Sequence, residues 1–148
     1  MLASEVWSLL PELLEQEDLN GFWFPRRTLY PDEEHAMAGL GLWPDLQLRL
    51  FRNRPNLRFT EPIHERLQGL TGPVAVPLDA AILHYSHLRK SPEMLKDKLR
   101  GFDQAVQEGY THRLNSDYPH LPLSFFISEE KAGGKTSLLV LEGNPGRE

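Results

Sequence analysis

The chain has 148 residues, no cysteine and a formal net charge of -5. That length suits one domain with a real core or two small lobes, and without cysteine the fold rests on burial and not on disulfides. The acidic balance excludes a general nucleic-acid binder, which carries a basic excess; no apolar run approaches the ~20 residues of a spanning helix, and the basic n-region of a signal peptide is missing.

Taken in chain order, Leu9, Leu10, Leu13 and Leu14 recur at helical spacing, with Ser8 as N-cap and Pro11 in the first turn. Asn20-Gly21 makes a turn into "GFWFPRRTLY", an aromatic strand in which Pro25 predicts a sheet edge or a bulge. "PDEEHAMAGLG" reads as a polar, flexible connection. In "LQLRLFRN", Leu46, Leu48 and Leu50 alternate against Gln47, Arg49 and Phe51. "RNRPN" is a hairpin-like turn into "LRFTEPIHERL", where Pro62 interrupts the alternation. "GLTGPVAVPLD" is an extended loop with one short strand, and "AAILHYSH" a buried strand. "SPEMLKDKLRGFDQAVQEGYTHRL" is the clearest helix, with Ser91 as cap, Pro92 at the first helical position and a stripe of Leu95, Leu99, Phe102, Val106 and Tyr110. "LSFFIS" and "TSLLVLEG" are expected to pair as a hairpin, with "NPGRE" a frayed tail. The fold class this predicts is α+β: a small, mainly antiparallel sheet from residues 22–30, 46–52, 57–67 and 80–86. The long helix, from Ser91 to about Arg113, packs on it.

The residues that carry chemistry gather between Trp43 and Leu67. This stretch holds Arg49, Arg52, Arg54, Arg58 and Arg66 and closes on His64-Glu65. His64 offers a donor to a phosphate, a metal ligand or a contact to a sugar hydroxyl, and Glu65 a partner for an arginine; the plainer alternative is a surface histidine beside an ion-paired glutamate. Arg49, with Arg26 and Arg27, forms a candidate pocket for a diphosphate or an anionic sugar, since guanidinium presents a planar fork of donors. The alternative is cross-strand pairing with the abundant carboxylates. Asp45, after Trp43-Pro44, is either a general base or a turn residue. His84 is a ligand or a hydrogen-bonded core histidine. Metal-finger spacing, a phosphate loop and a dinucleotide fingerprint are all missing from the sequence.

In order, "GFWFPRRTLY", "WPDLQLRLFRN", "LRFTEPIHERL" and "ILHYSHLRKSPEMLKDKLRGF" resemble the carboxy-terminal half of family-2 glycosyltransferases of the lipopolysaccharide-core glucosyltransferase type. There an aromatic strand ending in Arg precedes Tyr-Pro-Asp-x-Gln-x-Arg-Leu-Phe, a Val-His-Glu strand, and a Leu-x-His-Tyr strand leading into a helix. The likeness covers about residues 5 to 113, and the order of four separated motifs is more specific than any one of them.

What the resemblance implies is a partial GT-A fold over residues 1–114, with residues 115–148 an extra hairpin or tail. It implies the acceptor side of a hexosyl transfer from a nucleotide sugar, in the making of bacterial cell-envelope glycan. Asp45 is then the nominated base, and Arg27, Gln47, Arg49, His64, Glu65 and His84 the nominated substrate contacts. Mg or Mn belongs to a complete family member. Here "LASEV" (residues 2–6) stands where an Asp-Ala-Asp-Glu-Val type of metal motif is expected, so no metal site or other cofactor is expected in this chain. The expectation is a fragment or truncated product, inactive alone. It needs a nucleotide-sugar-binding partner domain, or else serves as a non-catalytic binding or oligomerisation module. A homodimer through "GFWF", or a C-terminal hairpin of "LSFFIS" and "TSLLVLEG" folded back over the exposed face, is expected, along with a cytoplasmic protein, peripheral to the membrane at most, with no transmembrane segment and no nucleic acid partner.

Overall fold

The computed structural model describes residues 4–39, 44–60, 66–106, 118–126 and 136–142. His64 and Glu65, the pair that closes the arginine-rich stretch, lie outside the described residues, as do Trp43 and residues 107–117.

Helix α1 spans Ser4–Leu14. It starts four residues before the expected cap at Ser8, so Pro11 lies inside it and not in its first turn. Pro11 has no N–H for the carbonyl four residues back, yet the helix continues, with Glu15 N donating to Pro11 O at 3.2 Å. Burial explains the tolerance: Leu13 is 1% exposed and Leu9 packs on the same core, whereas Leu14 turns to solvent.

Strand β1 (Gly21–Thr28) is the organising element. The three-residue β2 (His35–Met37) comes next, and then β3 (Leu46–Phe51), which pairs antiparallel with one edge of β1. On the other edge two strands succeed one another in parallel. β6 (Val74–Pro77) takes Gly21 and Phe22, and β7 (Ile82–His84) takes Arg26 to Thr28. This accounts for Pro25, which was expected to mark an edge or bulge and instead sits in an interior strand. Arg26 N donates towards β3, to Asp45 O at 2.7 Å. Alternation therefore aims the Pro25 nitrogen at the opposite edge, where it falls between the β6 and β7 pairings and removes no ladder bond.

The bulge lies elsewhere. The ladder steps from Phe22↔Leu50 to Trp23↔Leu48, which leaves Arg49 as the extra residue. Cross-strand partners share a face, so Leu50 joins Phe22 on the core side while Leu48 sits opposite Trp23. The three leucines of β3 thus do not share one face, as plain alternation predicts.

Segment 57–67 is not one strand of the main sheet. It gives β4 (Arg58–Thr60) and β5 (Arg66–Gln68), which pair with each other as a separate antiparallel ribbon. "PDEEHAMAGLG" is not a loose connection either. Its β2 pairs with β8 (His120–Pro122), and Ala36 and Met37 are buried. Residues 80–86 give only the short β7, after which Ser86–Arg89 form a four-residue helix, α2.

Helix α3 (Pro92–Val106) begins as expected, with Met94 N donating to Ser91 Oγ at 3.3 Å. Its stripe residues Leu95, Leu99 and Phe102 are only half-buried. None of these α3 residues belongs to the core cluster, which α1 joins through Leu13 and Leu9.

"LSFFIS" does not make a hairpin strand: Leu123–Phe126 is a short helix, α4. Within "TSLLVLEG", β9 (Leu138–Leu141) pairs antiparallel with β6. It is tied down by Thr136 N donating to Glu12 Oε1 at 3.0 Å and Ser137 N to Asp79 Oδ2 at 2.9 Å.

The architecture is α+β with mainly antiparallel pairing. The main sheet runs β3-β1-β6-β9, with β7 joined to β1. Its core comprises Leu13, Leu19, Phe22, Phe24, Ala75 and Ala80. Phe22, expected to cover a dimer face, is 4% exposed within its own chain. Among the described residues no helix is long and apolar enough to cross a membrane.

Candidate functional site

The face of β1 that carries Phe22 and Phe24 changes character towards its C-terminal end, where the same alternation places Arg26 and Thr28. Three strands deliver polar side chains to that end. From just before β3, Asp45 Oδ2 accepts from Arg26 Nε at 2.6 Å and forms an ion pair with Nη2, also at 2.6 Å. The Asp45 side chain is 13% exposed, so this pair is largely withdrawn from water. Gln47, two residues on and therefore on the same face, donates Nε2 to Asp45 Oδ1 at 2.7 Å. Arg49 Nη2 donates to Gln47 Oε1 at 3.2 Å. The chain of contacts Arg26–Asp45–Gln47–Arg49 links one part-buried carboxylate to two cations.

From β7, His84 Nδ1 lies 3.3 Å from Thr28 Oγ1, and its Nε2 lies 2.7 Å from Ser86 Oγ. Burial pulls its pKa down to about 4; Arg26, Lys98 and His87 add to the effect and Asp45 opposes it. His84 is therefore a neutral imidazole at pH 7, fixed at both nitrogens by hydroxyl groups. Burial, then the charges of Lys90 and Arg26, also lowers the Lys98 pKa.

Of the residues nominated from sequence, Asp45, Gln47 and Arg49 form one network, and His84 shares its neighbourhood. Arg27 does not join them. It points through the opposite face, is 7% exposed, and lays its Cζ 4.9 Å from the centre of the Phe126 ring; burial lowers its pKa to about 10. Its neighbour Arg26 takes the place expected for it. The signal was present in the strict alternation of β1, but nothing in the sequence showed which of two adjacent arginines faced Asp45. Nor do the other cations of the stretch converge here. Arg52 donates to the carbonyls of Leu19 and Gln16, at 2.9 and 3.0 Å. Arg58 and Arg66 are exposed on the β4–β5 ribbon. Thr28 and Ser86 belong to the site without having been singled out.

A second polar cluster sits where β2 and β8 meet the end of β1. The Tyr30 ring meets His87, Tyr118 and His120 edge-on at 6.3, 5.2 and 5.7 Å, and His35 meets His120 at 5.6 Å. His35 Nδ1 is 2.7 Å from Asp32 Oδ1. This contact, with the Glu34 N–H, holds the Asp32 carboxyl below its ordinary pKa. Burial, then Lys98, lowers the pKa of His87. Among the described residues no group of three or more His, Asp or Glu side chains is arranged to hold a metal ion.

No protein-family model matches this chain, and no curated protein or solved structure matches it either.

Proposed function

We propose that the chain is a glycosyltransferase-derived domain of the family-2 type, carrying the acceptor side of a nucleotide-sugar-dependent hexosyl transfer. One observation supports this most. Asp45, Gln47, Arg49 and His84, nominated through ordered motifs far apart in sequence, lie at one end of one sheet and share a polar neighbourhood.

The geometry limits what each residue does. A carboxylate has about four lone-pair sites. The Arg26 guanidinium covers Asp45 Oδ2, through a hydrogen bond from Nε and the ion pair with Nη2, and Gln47 takes one site on Oδ1. The remaining site on Oδ1 accepts a sugar hydroxyl, and Asp45 orients that hydroxyl for proton removal. Arg49 supplies donors to an anionic donor sugar, and neutral His84 supplies a fixed polar wall. Leu2 and Ser4 stand where the motif of the resembled family carries its metal-binding aspartates. On this reading the chain alone is expected to bind sugar without transferring it.

A second reading is a non-catalytic binding or oligomerisation module that retains the fold. The 2.6 Å Arg26–Asp45 pair favours it, because with the Arg26 N to Asp45 O bond that pair also bolts the end of β1 to β3. NMR titration of the intact chain with a UDP-hexose and with free hexoses separates the two. The first reading expects amide shifts at Arg26, Gln47 and His84 that Asp45→Asn abolishes while the variant stays folded. If no sugar shifts those residues, or if Asp45→Asn only lowers the melting temperature, the transferase-derived site is wrong.

A further inference from the structure

The other end of β1 holds a different polar place. A cleft of about 240 Å³ opens there, lined by Asn20, Arg54, Asn56, Gly69, Leu70 and Thr71. Three connectors build it: the turn before β1, the link from β3 to β4, and the link from β5 to β6. Two glycines keep it open. Gly69 and Gly72 have φ of 85° and 86°, where L side chains are strained. A Cβ on Gly69 would stand 2.5 Å from the Asn56 carbonyl oxygen, and one on Gly72 would overlap Asn20 Nδ2.

The walls are held by their own bonds. Asn20 N donates to Pro73 O at 2.8 Å, Arg52 N to Asn20 O at 2.9 Å, and Asn56 Nδ2 to Gly69 O at 3.0 Å. Arg52 spends its guanidinium on the Leu19 and Gln16 carbonyls. Arg54 does not: among the described residues its guanidinium meets no carboxylate, and only its main-chain carbonyl is engaged, by Leu57 N at 3.1 Å. The lining contains no Asp or Glu. Among the described residues, a wall of one guanidinium without a carboxylate partner, two amides and a hydroxyl, with no acid to repel an anion, suits an oxyanion bearing hydroxyl groups. The volume falls below the ~300 Å³ at which pockets for drug-sized ligands begin, so the occupant is small.

We infer that this cleft binds a small hydroxylated oxyanion of monosaccharide size, its anionic group on the Arg54 guanidinium and its hydroxyls on Asn20, Asn56 and Thr71. The site is separate from the Asp45 face and stands whether or not the transfer reading does.

The test is a ¹⁵N NMR titration of the intact chain with glucose 1-phosphate, glucuronate and uncharged glucose. The two anions shift the amides of Asn20, Asn56 and Thr71, and glucose binds at least about tenfold more weakly, the factor one charge-assisted bond carries. Arg54 is exposed, so Arg54→Ala keeps the fold and removes that advantage while leaving glucose unchanged. Thr71→Val, expected to weaken all three ligands several-fold, serves if Arg54→Ala misfolds. Anion shifts that spare these residues, equal affinity for glucose and the anions, or unchanged anion affinity in Arg54→Ala overturn the inference.

Discussion

Acidification tests whether His84 is held neutral by its surroundings. Its folded pKa, about 4, lies below the ordinary histidine value of 6.5. Between those values the unfolded chain binds a proton that the folded chain refuses, so stability falls as the pH drops from about 6.5 to about 4. Above 6.5 the group contributes no pH dependence, and below 4 it adds no further loss. A gap of that width corresponds to a ceiling of about 3 kcal/mol; because the ring is only half-buried, solvent screening reduces it to on the order of 1–2 kcal/mol. Arg26, Lys98 and His87 push in this direction and Asp45 resists. The assay is urea unfolding at pH 7.5, 6, 5 and 4 for the parent and for His84→Asn. At pH 7.5 the variant is less stable by about 1 kcal/mol, the worth of the hydrogen bonds to Thr28 and Ser86. At pH 4 the difference vanishes or reverses, because only the parent pays for the imidazolium. His87 titrates in both proteins and largely cancels. A difference that stays constant, or widens towards pH 4, refutes the reasoning.

Four further outcomes follow from contacts described above. Arg26→Met leaves the Asp45 carboxylate part-buried without its cation and lowers stability by about 1–3 kcal/mol; the double variant with Asp45→Asn recovers part of that loss in thermal unfolding. Gly72→Ala places a side chain at φ 86° against Asn20 and costs about 1–3 kcal/mol by urea unfolding. Glu12→Ala removes the acceptor for Thr136 and speeds amide exchange of Leu139 to Leu141 relative to β1, at a cost of about 1 kcal/mol. Phe22→Asp puts a charge in the core and unfolds the chain in circular dichroism, where a residue serving only a dimer face would leave a folded monomer.

The fold was legible where local chemistry and burial agree. Ser91-Pro92 marks the start of α3 and "GFWF" reads as a strand, because capping and apolar runs act within a few residues; "VAVP", read as an extended loop with one short strand and left out of the expected sheet, is the buried β6 between β1 and β9. It was illegible where distant partners decide. Ala36 and Met37 look like part of a polar loop until β8 pairs with them and they become buried. Leu9 and Leu13 carry α1 through Pro11, since their burial outweighs a broken local rule. Arg49 reads as an alternating residue, and only the pairing with Phe22 and Trp23 makes it the bulge. At the site, Gln47 and Asp45 were readable as one face from their spacing. The choice of Arg26 over Arg27 depends on where Asp45 lies across the ladder, which spacing along one strand does not encode.

The pairing of β6 with β9 sets the order in which the sheet can be finished during synthesis. β6 leaves the ribosome early and finds β1 already made, but its other edge waits for Leu138 to Leu141. At about 5–20 residues per second, the roughly sixty residues between Pro77 and Leu138 take about 3–12 s to add. Throughout that interval the apolar run Val74 to Val76 presents an open strand edge, which other chains can pair with. Nascent chains stalled at residue 135 should therefore be cut by protease within Val74 to Pro77, and chains extended past residue 142 and clear of the exit tunnel should not. The last strand works as a closing latch, and the interval before it arrives is when the molecule is most open to joining with a neighbour.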